Sequence, residues 1–208
     1  MRIAIIGTAG DGDDTRGLTA EVWRAMQADA QKQVAAEKHA TGVSAANMTL
    51  VSGGEPYADH LAVRLWQSEV AGTLELHLPA PLAQTGFDRT SEAGDQIARR
   101  HQTFRDDLGV ASVKELVTAA NGGARVCSGA DYGERNTAIA AAADAVIAYT
   151  FGPGSDVVVA RIGEPEFGDP TAAGVKPGEA AETWRQAHRA SWKMHVPLHV
   201  LARSVEAG

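Results

Sequence analysis

Short apolar runs alternate along the chain with longer stretches in which apolar residues recur every three or four positions. Runs of four to six apolar residues are typical of buried strands, and the longer spacing is typical of one face of a helix. The pattern predicts strands at residues 3–6, 48–51, 73–78, 124–127, 145–150 and 197–201. It predicts helices at residues 18–39, from 58 onward, and at 91–108, 113–120, 131–144 and 179–191.

Strands that alternate with helices through short glycine turns indicate an α/β fold. We expect a single Rossmann-like domain spanning residues 1–208, with a mainly parallel sheet and helices on both faces. The strand at 145–150 is apolar on both faces and should be central, whereas the strand at 73–78 alternates and should lie nearer an edge with one wetter face. Residues 79–90 contain two prolines and should form a loop. Residues 156–178 are rich in glycine and proline and should form a lid or an irregular insertion.

Glycine-containing turns follow three of the predicted strands. They are Gly7-Thr8-Ala9-Gly10, Ser52-Gly53-Gly54 and Phe151-Gly152. Right-handed crossovers should bring all three turns to one edge of the sheet, where ligands of such folds bind. Main-chain amides at these turns are expected to hold phosphate groups. The turns lack the Gly-Lys-Ser/Thr of a Walker loop and the full Gly-x-Gly-x-x-Gly pattern, so classical ATPases and dehydrogenases are poor matches.

Polar side chains near these turns are candidate ligand contacts. Glu55 or Asp59 would accept hydrogen bonds from ligand hydroxyls, with His60 beside them, and Phe151 would lie next to a base. The remaining candidates from the later helix and strand are Arg135, Asn136 and Thr150. Arg135 could bind a phosphate through two hydrogen bonds. The alternative interpretation is structural: glycine connects strand to helix, Asp59 favours the helix dipole, and His60 is solvated.

Composition limits the possible partners. A formal net charge of −7 makes nucleic-acid binding unlikely, because that binding needs a basic surface. No apolar run approaches the roughly 20 residues of a membrane helix, so no membrane partner is expected. The single Cys127 cannot form an internal disulfide, which fits a cytoplasmic protein. The seven histidines lack metal-ligand spacing, so we expect no metal and no cofactor.

The stretches Ile6 to Gly10 and Val51 to Ala62 resemble motifs of the SLOG superfamily, which contains DNA-processing protein A and the Lonely Guy proteins. Residues 177–184 fall where those proteins carry a later motif. The resemblance implies nucleotide contacts at Gly178, Glu179 and Thr183, a catalytic carboxylate at Glu182, and a homodimer. The Pro-Gly-Gly-x-Gly-Thr-x-x-Glu motif of the hydrolases is incomplete here, because Pro177-Gly178 is followed by Glu179 and Ala180.

Three functions follow as hypotheses. The first is a protein that binds a nucleotide-derived small molecule of the ADP-ribose or cyclic-nucleotide type, as a sensor or sequestering protein in phage or bacterial defence signalling. The second is an N-glycosidase, either a phosphoribohydrolase or a deoxyribosyltransferase-like enzyme, with Glu182 and Asp59 as catalytic residues. The third is an interaction module whose pocket no longer binds a ligand.

Overall fold

The computed structural model describes residues 1–129 and 131–206. Its strands are β1 (Arg2–Gly7), β2 (Thr49–Ser52), β3 (Thr73–Leu78), β4 (Leu82–Ala83), β5 (Gly86–Phe87), β6 (Arg125–Ser128), β7 (Ala145–Thr150), β8 (Val158–Arg161) and β9 (Trp192–Pro197). Seven of them form one sheet in the order β6-β3-β2-β1-β7-β9-β8, and β4 and β5 form a separate antiparallel pair. All neighbours in the large sheet are parallel except β8 and β9. The predicted α/β fold with a mainly parallel sheet is confirmed.

The helices are α1 (Asp14–Gly17), α2 (Ala20–Thr41), α3 (His60–Gln67), α4 (Glu92–Leu108), α5 (Ser112–Asn121), α6 (Tyr132–Ala142), α7 (Pro165–Gly168), α8 (Glu179–Gln186) and α9 (Leu198–Glu206). Side-chain caps explain several starts, since Thr19, Ser91 and Asp131 each accept a hydrogen bond from a main-chain amide of the first turn. Gly42 and Gly109 end α2 and α4 in the left-handed conformation. None of the helices in the described ranges is long and apolar enough to span a bilayer.

The sheet separates two hydrophobic layers. Ile3 and Ile5 of β1 face a core built with α2, α3, α4 and α5, whereas Ala4 and Ile6 face a core built with α6, α7 and α8. This alternation follows from the two-residue period of a strand. Helices therefore cover both faces, as predicted, and β7 lies fully buried between β1 and β9.

The strand at residues 73–78 lies nearer an edge of the sheet, as predicted, but the prediction that one of its faces is wetter is wrong. The strand β3 lies between β2 and β6, and both Glu75 and His77 are buried. Glu75 is bound by Arg2 at 2.7 Å and lies 2.7 Å from His77 Nε2. Ion pairing allows these polar side chains to occupy an interior face, which the hydrophobic pattern alone does not reveal.

The predicted elements at the C-terminal end are displaced along the sequence. Helix α8 ends at Gln186 rather than 191, the last strand is β9 rather than residues 197–201, and Leu198–Glu206 is helical. The region 156–178 contains the edge strand β8 and the short helix α7, so it is only partly irregular. Residues 79–90, predicted as a loop, contain the β4–β5 pair.

The arrangement of β2, β1 and β7 positions the candidate site. These strands are adjacent and parallel, so the chain leaves them at Ser52, Gly7 and Thr150 on the same edge of the sheet. The predicted convergence of the three glycine turns is confirmed.

Candidate functional site

A cavity of about 200 Å³ lies at the carboxyl ends of β1, β2 and β7. The residues predicted from the sequence that line it are Gly7, Thr8, Ala9, Glu55, Asp59, Arg135, Thr150, Gly178, Glu179 and Thr183. Residues that were not predicted complete the lining: Ile6, Asp11, Asp14, Ile139, Lys176, Pro177 and Ala180. Segments distant in sequence thus meet at the predicted edge of the sheet.

The predicted residues outside the lining are Gly10, Ser52, Gly53, Gly54, His60, Asn136, Phe151, Gly152 and Glu182. The expectation that the amides of Gly53 and Gly54 are free to bind a phosphate is wrong. The Gly53 amide donates to Asp59 Oδ2 at 3.1 Å, and the Gly54 amide donates to Ser52 Oγ at 3.0 Å. These amides therefore stabilise the turn itself.

The first glycine turn is also largely occupied by internal hydrogen bonds. The Thr8 amide donates to the Tyr149 carbonyl at 2.9 Å, and the Gly10 amide donates to Thr8 Oγ1 at 3.2 Å. A Cβ atom on Gly7 would lie 2.1 Å from the Tyr149 carbonyl oxygen, and one on Gly53 would lie 2.5 Å from Asp59 Oδ2. Glycine at these two positions is thus required for close packing within the protein.

His60 is fully buried, so the alternative interpretation in which it is solvated is wrong. Its Nε2 lies 2.8 Å from Glu115 on α5, and burial lowers its pKa. Asn136 Oδ1 accepts two hydrogen bonds from the Arg135 guanidinium and thereby fixes its orientation. Both residues lie outside the cavity, and Asn136 supports it through Arg135.

Phe151, Gly152 and Glu182 lie outside the cavity for different reasons. The Phe151 ring lies against Gly17, and Gly152 packs against the Gly174 carbonyl, where a Cβ atom would lie 1.8 Å from its oxygen. The Glu182 carboxylate is nearly half exposed and accepts hydrogen bonds from Arg185 and Gln186 on its own helix. The residue that the SLOG resemblance implies as catalytic is therefore engaged on the helix surface.

Two arginines hold the carboxylates on the floor of the cavity. Glu55 Oε1 accepts hydrogen bonds from Arg135 at 3.2 Å and from Arg100 at 3.1 Å. Glu179 Oε2 accepts from Arg135 at 2.5 Å, and its Oε1 lies 3.4 Å from Arg100. Burial raises the pKa of Glu55, while both arginines oppose that change. Glu55 Oε2 is itself buried, and the nearby Tyr132 hydroxyl, like the arginines, acts to lower the pKa of this carboxyl group.

Asp59 is the second buried carboxylate of the cavity. Burial is the main reason that its pKa is raised to about 7, and the negative charges of Glu55 and Glu179 add to the effect. The Arg135 guanidinium and the Gly53 amide act in the opposite direction. Asp59 can therefore hold and release a proton near neutral pH, as a general acid or base must.

A series of hydrogen bonds through Thr150 and His195 holds residues 173–176 beside the cavity. The Lys176 amide donates to Thr150 Oγ1 at 3.0 Å, and the Thr150 hydroxyl donates to His195 Nε2 at 2.9 Å. His195 Nδ1 donates to the Ala173 carbonyl at 3.0 Å. Burial lowers the pKa of His195 to about 4, which keeps the ring neutral as this pattern requires. These hydrogen bonds place the Lys176 ammonium beside Asp14, which also accepts from Thr8 Oγ1 at 2.7 Å.

The charge of the cavity lining differs from that of a phosphate site. Five carboxylates line it and only two cations, Arg135 and Lys176. Arg135 is paired with Glu55 and Glu179, and Lys176 is paired with Asp14. The lining therefore favours hydroxyl or amine groups of a ligand over a free anion.

Sequence reasoning missed Arg100 and Tyr132. The Tyr132 ring lies within cation–π distance of the guanidinium groups of both Arg100 and Arg135, with distances of 5.2 and 4.8 Å from guanidinium carbon to ring centre. Arg99-Arg100 is the one adjacent basic pair in the sequence, and it belongs to a polar helix far from the glycine turns. This basic pair was the one feature of the sequence that could have indicated Arg100 as a site residue. Its position along the chain does not connect it with Glu55.

No protein-family model matches the chain, and no solved structure matches it. An uncharacterised protein of Acanthamoeba polyphaga mimivirus is 29% identical over 153 residues, which is 73% of this chain and 82% of the viral protein. The chain is thus similar, over most of its length, to a viral protein whose description states no activity.

Proposed function

We propose that the chain binds a nucleotide-derived small molecule, of the ADP-ribose or cyclic-nucleotide type, as a sensor or sequestering protein. The observation that carries this proposal is the pair of buried carboxylates, Glu55 and Asp59, in a cavity at the carboxyl ends of parallel strands. Such strand ends are the usual ligand position in open α/β sheets. The resemblance to SLOG proteins supports the same ligand class and a homodimeric state.

The size and chemistry of the cavity support binding of a ribose. Pockets for drug-sized ligands measure roughly 300 to 1,000 Å³, so a cavity of about 200 Å³ suits one part of a nucleotide rather than the whole. Ribose hydroxyls can donate to the carboxylates of Glu55 and Asp59, which both line the cavity, as carboxylates accept strongly from such donors. The remainder of the ligand then lies outside the cavity.

Isothermal titration calorimetry tests the proposal with nucleosides, nucleoside mono- and diphosphates, ADP-ribose and cyclic nucleotides. We expect at least one compound to bind, and we expect Asp59→Asn to weaken it by about tenfold through loss of the carboxylate acceptor. The matched control is Asp106→Asn, an equal charge change on the exposed face of α4. If no compound of the panel binds, or if both substitutions change the affinity equally, the proposal is overturned.

A second candidate function is N-glycosidic bond cleavage. It is favoured by Asp59, whose raised pKa of about 7 suits an acid that protonates a leaving base. Glu55 would then stabilise positive charge at the anomeric carbon while water attacks it. Release of free base from nucleoside monophosphates or NAD-like dinucleotides, abolished by Asp59→Asn, would establish this activity.

A further inference from the structure

A groove of about 220 Å³ lies beside the cavity, between the turn after β1 and helix α4. Its lining consists of Ala9, Gly10 and Asp11 from the turn and Gln96, Arg99, Arg100 and Thr103 from α4. The α4 residues follow the spacing i, i+3, i+4 and i+7, which places them on one helix face. Because Ala9 and Asp11 also line the cavity, the two spaces are contiguous.

The lining of the groove has more cations than carboxylates, whereas the lining of the cavity has fewer. The groove has two arginines and one carboxylate, Asp11, which is paired with Arg100. The cavity has five carboxylates and two paired cations. Gln96 and Thr103 add neutral donors to the groove, so each α4 side chain that lines it can donate a hydrogen bond to an anion.

We propose that this groove binds the phosphate groups of the ligand whose ribose occupies the cavity. The inference rests on the proposed function and identifies the ligand as a phosphorylated nucleoside that spans both spaces. It places the phosphates on α4 rather than on the glycine turns, whose amides at Thr8, Gly10, Gly53 and Gly54 already have acceptors within the protein.

Arg99 is available to contact a phosphate. Its side chain is 66% exposed and pairs with Asp95 Oδ2 at 2.9 Å. Asp95 also pairs with Arg89 through Oδ1, so it keeps a partner when Arg99 turns to a ligand. An exposed ion pair of this kind contributes little to stability, and a guanidinium–phosphate contact can replace it.

Arg100 has a different role in the groove. Its side chain is only 10% exposed, and Asp11, Glu55 and Glu179 hold it in place. It therefore has a fixed position between the cavity and the groove, and these carboxylates already balance its charge. Substitution of Arg100 would disturb the floor of the cavity, so Arg99 is the better residue for a test.

The test is calorimetric titration with pyrophosphate, with a nucleoside, and with the 5′-diphosphate of that nucleoside. The variants are Arg99→Gln and the matched control Arg105→Gln, which removes the same charge from an exposed position of α4 outside the groove. We expect Arg99→Gln to weaken pyrophosphate and the diphosphate about tenfold and to leave the nucleoside unchanged. We expect Arg105→Gln to change each affinity less than twofold.

The outcomes separate this inference from the proposed function. Equal effects of the two substitutions, or no pyrophosphate binding to the wild type, would overturn the groove as a phosphate site. A nucleoside that binds as tightly as its diphosphate would overturn the groove while leaving the cavity proposal intact. Pyrophosphate binding that only Arg99→Gln weakens, together with a diphosphate that binds no more tightly than pyrophosphate, would support the groove and refute the cavity proposal alone.

Discussion

The substitution Asp59→Asn tests the electrostatics of the cavity in the absence of any ligand. An asparagine has nearly the same shape as aspartate, and its amide oxygen can still accept from the Gly53 amide. Arg135 keeps Glu55, Glu179 and Asn136 as partners, so the substitution leaves no isolated buried cation. The main change is the removal of an acid that is buried in the folded protein.

The magnitude follows from the pKa of Asp59. A rise from the ordinary 3.8 to about 7 makes ionisation in the folded protein harder than in the unfolded chain by about 4 kcal/mol at most. Because the folded pKa is the higher one, the folded protein holds the proton more tightly. The free energy of unfolding of the wild type therefore loses the contribution of Asp59 as pH rises from about 4 to about 7. This loss of stability is complete above pH 7 and less than half as large at pH 5.

Urea denaturation at pH 5 and pH 8.5 measures this effect as a free energy of unfolding. We expect Asp59→Asn to be more stable than the wild type by up to about 4 kcal/mol at pH 8.5, with a clearly smaller gain at pH 5. Asp106→Asn should show no such pH dependence, because Asp106 is exposed. A stability difference that is the same at both pH values would refute the reasoning.

Three further substitutions test other parts of the structure. Glu182→Gln should leave ligand affinity and any base release unchanged in calorimetric and turnover assays, because its carboxylate is bound on the helix surface; a clear loss would restore it as a site residue. Lys193→Met should lower the free energy of unfolding by about 1 to 3 kcal/mol, since two buried main-chain carbonyls lose their donor. Thr150→Val should speed hydrogen exchange in residues 173–176, whereas the exposed Thr137→Val should not; equal exchange rates would show that the Thr150 hydroxyl is not needed to hold that segment.

The fold was predictable where burial is purely apolar. The strands β1, β2 and β7 were predicted from short apolar runs in the sequence. Their parallel order brings the three glycine turns together, as expected. The last strand was not predicted at the position of β9, because β9 contains the polar residues Lys193 and His195 and so is not a continuous apolar run. Both are fully buried, and main-chain carbonyls or a threonine hydroxyl satisfy them. A pattern of hydrophobic residues along the sequence does not reveal hydrogen-bond partners that lie on other secondary-structure elements.

The site shows the same limit. Glu55, Asp59 and Arg135 were candidates because they lie just after a glycine turn or at a helix start. Arg100 lies 45 positions from Glu55 and reaches it only through the packing of α4. The sequence also could not show that Ser52 and Asp59 use the amides of the second turn, because that depends on side-chain placement within the turn.

The most direct test of the ligand site uses the isoleucine methyl groups. Ile6 and Ile139 line the cavity, whereas Ile162 is 69% exposed and lies outside it. Methyl NMR spectra should be recorded as the tightest-binding phosphorylated nucleoside of the panel is added. The account predicts that the Ile6 and Ile139 signals shift while the Ile162 signal stays in place. Saturation of the protein without a shift at Ile6 or Ile139 would contradict it.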